Sequence, residues 1–288
     1  MSENIVIGFP RYSHLADWEA GSAAAEYPAS NLGTAPLSAV WRSGGLGLSQ
    51  TTLTGSFPAP VRMQQLTLCR HSISPDGVWR RRFFENSGFT GQLVDTGWQP
   101  VWPEVYGWDE LDWDVDAENW WECSYKPSEL VGRPWYAWGR QSEELVGQSL
   151  IIEIDDRYNP AGFIQVGYLN VSAEWQLSRN AGWQASYGAP SRTLVQQADG
   201  GTKYYRRRPK ARTFRGVVNR LPRDEAMLRA WEHQSQLDID QPFTFLPHPD
   251  VPKHWPRTAY LATNAELPLA AYANWSADSV PLSFEEVL

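Results

Sequence analysis

The sequence predicts a mainly-β protein, with an antiparallel β-sandwich first and then an α+β unit that is mostly sheet with one covering helix. Its 288 residues exceed the length at which a single hydrophobic core usually divides, so two compact units are expected. The chain holds 16 Trp, 12 Tyr and 10 Phe but only 3 Met, a composition typical of β-rich domains. Short apolar runs between turn residues fill most of the chain, whereas one convincing helical pattern is present.

The first strand patterns lie between residues 61 and 85. In VRMQQLTLC (61–69), Val61 and Met63 share one face, but the next apolar residues, Leu66 and Leu68, lie on the other face. Such a phase slip predicts a bulge or a strand buried on both sides. Three further patterns complete the predicted sandwich: 78–85, 149–156 and 161–171.

A long turn-rich stretch, YPASNLGTAPLSAVWRSGG, spans residues 27–45. Its apolar residues are spaced as in a loop attached to a sandwich rather than as in a flexible linker. We therefore predict that Trp41 is buried and that the Asn31 side chain caps the turn.

Residues 98–147 are predicted to form a Trp-rich acidic insertion between two sandwich strands. Eight Trp lie between Trp98 and Trp138, and residues 101–145 contain eleven acidic against three basic side chains, which equals the net charge of −8 of the whole chain. Long insertions of this kind tend to be functional. Trp faces beside polar groups are typical of sugar clefts, so the candidate carbohydrate-binding residues are Trp108, Trp113, Trp120, Trp121, Trp135, Asp112 and Asp114.

The same acidic residues leave two alternatives open. Acids between Asp109 and Glu122 could cleave glycans as a carboxylate pair. The DxDxDxE pattern of 112–118 resembles a calcium loop, but Ala117 replaces the required Gly and Cys123 replaces the bidentate Glu. A solvated acidic face is favoured over a loose Ca²⁺ site.

The second unit begins near Gln176 and carries a basic strand pattern over 202–218. Pro222 and the following acids predict a helix start, and the predicted helix face comprises Met227, Ala230, Trp231, Gln234 and Leu237. Two strands separated by a Pro-rich loop, and a last strand near 280–288, complete the unit. The run YYRRRPKAR (204–212) mixes aromatic and basic residues, which favours packing against an acidic surface of another subunit over nucleic-acid binding, given the acidic net charge. The predicted oligomer interface comprises Arg206, Arg207, Arg208, Arg212, Trp231 and Trp255.

Signals for other functions are weak. The sequence contains no GxSxG, Walker A or dinucleotide-binding motif, and the spacing of His248, Asp250 and His254 favours a turn over a metal site. We therefore expect no catalysis, no cofactor and no metal. A secretory signal, membrane insertion and disulfides are also not expected, with Cys69 and Cys123 as reduced thiols of a cytosol-made protein.

Two resemblances to known families follow from longer motifs. The order YPASNL, PLSAVWRS, VRMQQLTLCRHSIS and VWRRRFF resembles discoidin-like (galactose-binding-like) jelly-roll domains of phage virion proteins, with 162–175 as the closing strand. The passage from Arg223 to Asn264 is similar to the end of distal-tail and baseplate proteins of long-tailed phages. The matching residues are Pro242, Phe243, Phe245, Pro247, His254, Trp255 and Arg257.

The resemblances imply a jelly roll over 1–175 and a split-barrel, ring-forming domain related to tail-tube proteins over 176–288. They imply a structural component of a phage tail tip, made in the host cytoplasm, that forms a hexamer or trimer with tail-tube and hub proteins as partners. Contact with a host surface polysaccharide is an additional expectation. A carbohydrate-binding adhesion module is the alternative, and a glycan-cleaving enzyme is the second alternative.

Overall fold

A computed structural model describes residues 4–34, 36–116, 119–121, 123–126, 129, 134–267 and 269–288. The fold is mainly β, as predicted, and every strand pairing within the described residues is antiparallel. Among the helices of these ranges, none has the length and apolar character needed to cross a membrane.

The sandwich is built around two long paired strands. Its strands are β2 (Asp17–Ala20), β3 (Trp41–Arg42), β4 (Leu53–Cys69), β5 (Val78–Phe84), β6 (Gln92–Pro100), β7 (Tyr136–Asp155), β8 (Gln165–Val166) and β9 (Tyr168–Ser172). The main sheet has the order β2-β4-β7-β5-β6, with β9 on the second half of β4, and β3 pairs with β8. Side chains from both halves of β4 and β7 join one hydrophobic core.

The predicted irregularity in residues 61–69 is confirmed as a break in strand register. The pairing of β4 with β7 shifts between Met63 and Gln65, as well as between Ser56 and Val61. All four apolar side chains are buried on the two sides of this break: Val61, Met63, Leu66 and Leu68. The phase slip therefore marks the place where β4 changes the face that it turns to the core.

The strands of the second unit come from distant parts of the chain. Its strands are β1 (Val6–Ile7), β10 (Trp175–Gln176), β11 (Ser186–Gly188), β12 (Leu194–Gln197), β13 (Lys203–Arg206), β14 (Thr213–Pro222), β15 (Phe243–Leu246), β16 (Tyr260–Asn264), β17 (Ala271–Tyr272) and β18 (Ala277–Glu286). Seven of them form the order β10-β1-β15-β16-β18-β14-β11, with β17 on β18, and β12 pairs with β13 as a separate hairpin.

The pairing of β1 differs from the predicted boundary between 1–175 and 176–288. Val6 and Ile7 pair with β15 and with β10, and Ile5, Ile7 and Phe9 belong to the core of the second unit. The second unit therefore uses both ends of the described chain, and the sandwich lies between them. A short apolar run such as NIVIGF carries no information about which distant strand it will pair with, so only the tertiary structure reveals this arrangement.

The Trp-rich insertion is shorter than the predicted 98–147. Strand β6 continues to Pro100 and β7 begins at Tyr136, so both ends of the predicted insertion belong to the sandwich. Within the segment between them, helix α1 is a single turn over Trp113–Asp116.

The turn-rich stretch 27–45 is fixed to the sandwich as predicted. Trp41 is fully buried and donates its Nε1–H to the Ser22 carbonyl oxygen at 3.1 Å. The Asn31 side chain donates from Nδ2 to the Val40 carbonyl oxygen at 2.9 Å and so closes the loop around a 3₁₀ helix, Ala29–Gly33.

The helix of the second unit is confirmed, but its predicted face is only partly correct, with Ala230 and Leu237 buried. It runs from α2 (Arg223–Glu225) through a π-helical stretch, Ala226–Trp231, into α3 (Glu232–Gln236). Ala226, Ala230 and His233 are buried, whereas Met227 and Trp231 are exposed. The small Ala side chains let the helix approach the sheet closely, which the count of large apolar residues does not predict. A second short helix, α4 (Trp255–Thr258), follows a 3₁₀ turn, Pro252–His254.

Candidate functional site

Four of the predicted binding residues form an exposed tryptophan cluster, which we define as Trp108, Trp113, Trp120 and Trp121. The Trp120 ring contacts Trp108 and Trp113 edge to face, with centroid distances of 5.9 and 5.7 Å. Trp113 also contacts Trp121 at 6.1 Å. Trp108, Trp113 and Trp121 are 57%, 51% and 69% exposed. The cluster thus presents three indoles to solvent in edge-to-face contacts that favour a defined arrangement.

Two carboxylates lie beside this cluster on the same short turn. Asp112 and Asp114 are both exposed, and Asp112 Oδ1 accepts a hydrogen bond from the Asp114 backbone N–H at 3.0 Å. A similar bond links the Gly107 N–H to Glu110 Oε2 at 3.0 Å. These local bonds shape the turn that carries Trp108 and Trp113, and the carboxylates add hydrogen-bond acceptors to an aromatic surface.

Several acidic residues considered for glycan cleavage or calcium binding lie outside the described part of the chain. Glu118 and Glu122, like the Ala117 at the decisive calcium-loop position, lie outside the described residues, and so does the side chain of Asp116. Within the described part of the chain, no group of three His, Cys, Asp or Glu side chains is arranged to hold a metal ion. His248 and His254, with ring centroids 6.3 Å apart, lie in consecutive turns.

Trp135 lies apart from the tryptophan cluster. It is partly buried and packs against Trp102, with ring centroids 4.9 Å apart. Trp102 in turn donates to the Ile73 carbonyl oxygen at 3.1 Å and contacts the edge of His71. Burial lowers the pKa of His71 to about 3, which keeps its imidazole neutral beside these rings. Trp135 therefore helps to attach the insertion to the sandwich core and is not part of the exposed surface.

The other end of the insertion contacts the second unit. Arg257 lies over the Tyr125 ring at 5.5 Å, and the Tyr125 hydroxyl donates to the Lys253 carbonyl oxygen at 3.5 Å. Cys123 and Cys69 are both buried. These contacts hold the insertion at its base while the tryptophan cluster remains exposed.

The residues predicted for an oligomer interface fall into different environments. Arg206, Arg207 and Arg208 are exposed, and Trp231 is 63% exposed. Trp255 is partly buried and donates to the His248 carbonyl oxygen at 2.9 Å.

Arg212 departs from the interface prediction because its guanidinium is used inside the unit. It forms an ion pair with Glu286, whose side chain is 2% exposed, and donates to the carbonyl oxygens of Pro256 and Ala259 at 3.0 and 3.1 Å. A basic run in the sequence does not reveal which of its members meets a buried carboxylate.

The β12–β13 hairpin is exposed along both strands. Its apolar side chains remain substantially in solvent, including Val195 at 53% and Tyr205 at 64%. An isolated two-stranded hairpin is only marginally stable in water, so this element is well suited to packing against another surface.

A cleft of about 510 Å³ opens at the end of the second sheet, and the sequence does not predict it. Its apolar wall includes Ile5, Phe214, Phe245 and Tyr260, which come from β1, β14, β15 and β16 or their flanks. Other lining residues carry positive or aromatic groups to the rim: Tyr187, Lys210, His248 and Arg257. The cleft depends on strands that are far apart in the chain, so no local pattern signals it.

Comparisons with known proteins add a likeness in fold. No family model matches this sequence, and no curated protein matches it either. A family 32 carbohydrate-binding module of Clostridium perfringens NanJ, solved with galactose, is 11% identical over 59% of this chain and 99% of its own, with a TM-score of 0.35. A family 32 carbohydrate-binding module of Streptococcus pneumoniae EndoD is 8% identical over 57% of this chain and 99% of its own, with a TM-score of 0.33. A fucolectin from striped bass serum is 8% identical over 76% of each chain, with a TM-score of 0.35. Likeness at this level leaves the ligand of the present chain undefined.

Proposed function

We propose that this protein binds carbohydrate through the exposed tryptophan cluster. The observation that carries the proposal is the set of three indoles, each more than half exposed, beside the carboxylates of Asp112 and Asp114. Sugar rings present an apolar face that packs on an indole, while their hydroxyls donate to carboxylate oxygens. A surface with both features suits a neutral or basic oligosaccharide. Trp135 is not included, because it packs into the sandwich core.

Isothermal titration calorimetry with a panel of host-surface oligosaccharides tests this function by measuring their affinities. Trp113→Ala and Trp121→Ala should each weaken binding about fivefold, because losing one aromatic stacking contact costs about 1 kcal/mol. Trp183→Ala is the matched control, since Trp183 is fully exposed but lies in the second unit. Equal affinity of all three variants and the unmodified chain would contradict the proposed site.

Binding without cleavage is part of this proposal. Both Asp112 and Asp114 are exposed, whereas a general acid usually needs a sheltered environment that raises its pKa. Incubation with the polysaccharide that binds best should release no reducing sugar. Release that Asp112→Asn or Asp114→Asn abolishes would establish the glycan-cleaving alternative instead.

We propose as a second candidate function that the chain is a virion component at a phage tail tip, where the second unit assembles into a ring of three or six copies. The exposed β12–β13 hairpin favours this function, since Leu194, Val195, Tyr204 and Tyr205 are unburied in a single copy. Tail-tube and hub proteins would be the neighbouring partners. In this setting, a tryptophan cluster that the assembly leaves uncovered would contact a polysaccharide of the host surface.

Negative-stain microscopy and light scattering at increasing protein concentration test the assembly. Rings of three or six copies, weakened by Tyr205→Ser, are the expected result, with Tyr158→Ser as the matched control at an exposed tyrosine of the sandwich. A chain that stays monomeric at high concentration and fails to co-sediment with tail tubes would contradict this candidate.

A further inference from the structure

We propose that the cleft at the end of the second sheet receives the tryptophan cluster of a second copy of this chain, in a head-to-tail contact. The proposal rests on the self-assembly of the second candidate function and gives it a defined interface. It does not depend on sugar binding.

The shape and chemistry of the cleft suit an inserted aromatic side chain. Its volume of about 510 Å³ lies in the range of sites that enclose a compact ligand group. Phe214, Phe245 and Tyr260 line the cleft but are themselves nearly buried, and Tyr187 at the rim is 76% exposed and offers an open aromatic ring. Interfaces often gain most of their energy from one Trp, Tyr or Arg side chain inserted into such a site.

The rim of the cleft is positively charged. Lys210 and Arg257 lie there exposed, and among the residues that the structure describes, no Asp or Glu lines the cleft. The positive charge of Arg212 is already balanced by Glu286. The cleft therefore favours an apolar group that carries carboxylates on its flanks, because the rim attracts the acids while the wall takes the ring.

The tryptophan cluster of the same chain is an apolar group flanked by carboxylates. The sequence from 101 to 121 contains no Lys or Arg, and Asp112 and Asp114 flank Trp113 directly. Trp108, Trp113 and Trp121 are more than half exposed, so the cluster of one copy does not fill its own cleft. Since the cluster and the cleft are different surfaces, their contact is heterologous, and repetition would generate a ring or an open chain of copies.

Sedimentation velocity on the full chain, over a concentration series, tests the contact. The unmodified chain should associate, and raising the salt from 0.1 to 0.5 M should weaken association because the rim charges are screened. Lys210→Glu impairs the cleft and Trp113→Ala impairs the cluster, and each should weaken association about tenfold or more. Arg157→Glu and Trp183→Ala are the matched controls, since they change an exposed cation of the sandwich and an exposed indole outside the cluster.

Mixing the two impaired chains is the decisive experiment. Lys210→Glu retains a working cluster and Trp113→Ala retains a working cleft, so an equimolar mixture should form a 1:1 dimer and no larger species. An unmodified chain that is monomeric at every concentration, impaired chains that associate normally, or a mixture that stays monomeric would each overturn the proposal.

The sugar titration separates this contact from carbohydrate binding. Lys210→Glu should lose association and should keep the oligosaccharide affinity that the unmodified chain shows at concentrations where it is monomeric, because the cleft and the sugar compete for the same indoles. A chain that associates through the cleft but binds no oligosaccharide would refute the carbohydrate function alone. A chain that binds oligosaccharide but never associates would refute the cleft contact alone.

Discussion

Tyr136 donates its hydroxyl hydrogen to Glu286 Oε1 at 3.1 Å and so joins strand β7 of the sandwich to strand β18 of the second unit. Both residues are buried, and Glu286 is also paired with Arg212. Burial, followed by the nearby Glu286 carboxylate, raises the pKa of Tyr136 well above its usual value, so its hydroxyl remains a donor. The two units therefore share a hydrogen-bonded ion pair at their junction.

Removing the Arg212 cation should lower the free energy of unfolding far more than removing the Tyr136 hydroxyl. Arg212→Met leaves Glu286 buried without its counter-ion and should lower the free energy of unfolding by about 3–5 kcal/mol. Tyr136→Phe leaves the ion pair in place and should cost about 1 kcal/mol. Urea unfolding measures both, and Arg215→Met, in an exposed pair with Glu266, should change stability by less than about 1 kcal/mol. Similar losses for Arg212→Met and Arg215→Met would contradict the buried pairing.

The close approach at Gly8 should make this position intolerant of a methyl group. A Cβ atom there would lie 1.9 Å from Thr244 Oγ1, which donates to Gln65 Oε1 at 2.6 Å across the two units. Gly8→Ala should therefore cost about 1–3 kcal/mol through overpacking at this junction. Gly88→Ala is the control, because a Cβ at Gly88 meets no atom within 4 Å. Equal melting temperatures for the two variants would show that the junction is looser than described.

Acid should destabilise the protein through His233. This imidazole packs against Phe9 and Phe243, and burial lowers its pKa to about 4. Between about pH 6.5 and pH 4 the unfolded chain binds a proton that the folded chain does not, so the free energy of unfolding falls as the pH falls through this window. His233→Phe removes this contribution and leaves that of His71, whose pKa burial also lowers, so the loss between pH 7 and pH 5, measured by urea unfolding at each pH, should become smaller. An unchanged slope in His233→Phe would contradict the assignment.

Trp41 should be a main support of the sandwich. Trp41→Ala removes a fully buried ring and its bond to Ser22, which should lower the free energy of unfolding by about 3–5 kcal/mol. Trp121→Ala, at a 69% exposed indole, should leave stability within about 0.5 kcal/mol. Thermal unfolding compares the two, and a small effect at Trp41 would mean that the stretch 27–45 is not fixed to the core.

The parts of the fold that were predictable rest on local chemistry. The register break in β4 follows from the phase slip after Met63, and the helix start follows from Pro222 and the acids after it. Burial of Trp41 and the Asn31 bond follow from a turn-rich stretch with spaced apolar residues. In each case the signal lies within a few residues, where strand and helix periodicity apply directly.

For the candidate site, the sequence predicted which residue types are present but not which of them are exposed. The sequence indicates that Trp108, Trp113, Trp120 and Trp121 occupy an acidic segment, but it does not separate them from Trp135, which packs into the core. Exposure depends on which neighbours cover each ring, and those neighbours, such as Trp102 and His71, come from other segments. The same limitation applies to Arg212, whose partner Glu286 is 74 residues away.

The sequence by itself determined a mainly-β chain, the positions of several long strands, one helix and an acidic segment rich in tryptophan, because these properties depend on local periodicity and composition. Only the tertiary structure decided that β1 joins the second sheet, that the helix buries Ala226 and His233 rather than Met227 and Trp231, and that a cation-rimmed cleft opens at the end of that sheet. These features depend on contacts between distant segments, and their free energy is gained only once the loops between those segments have closed.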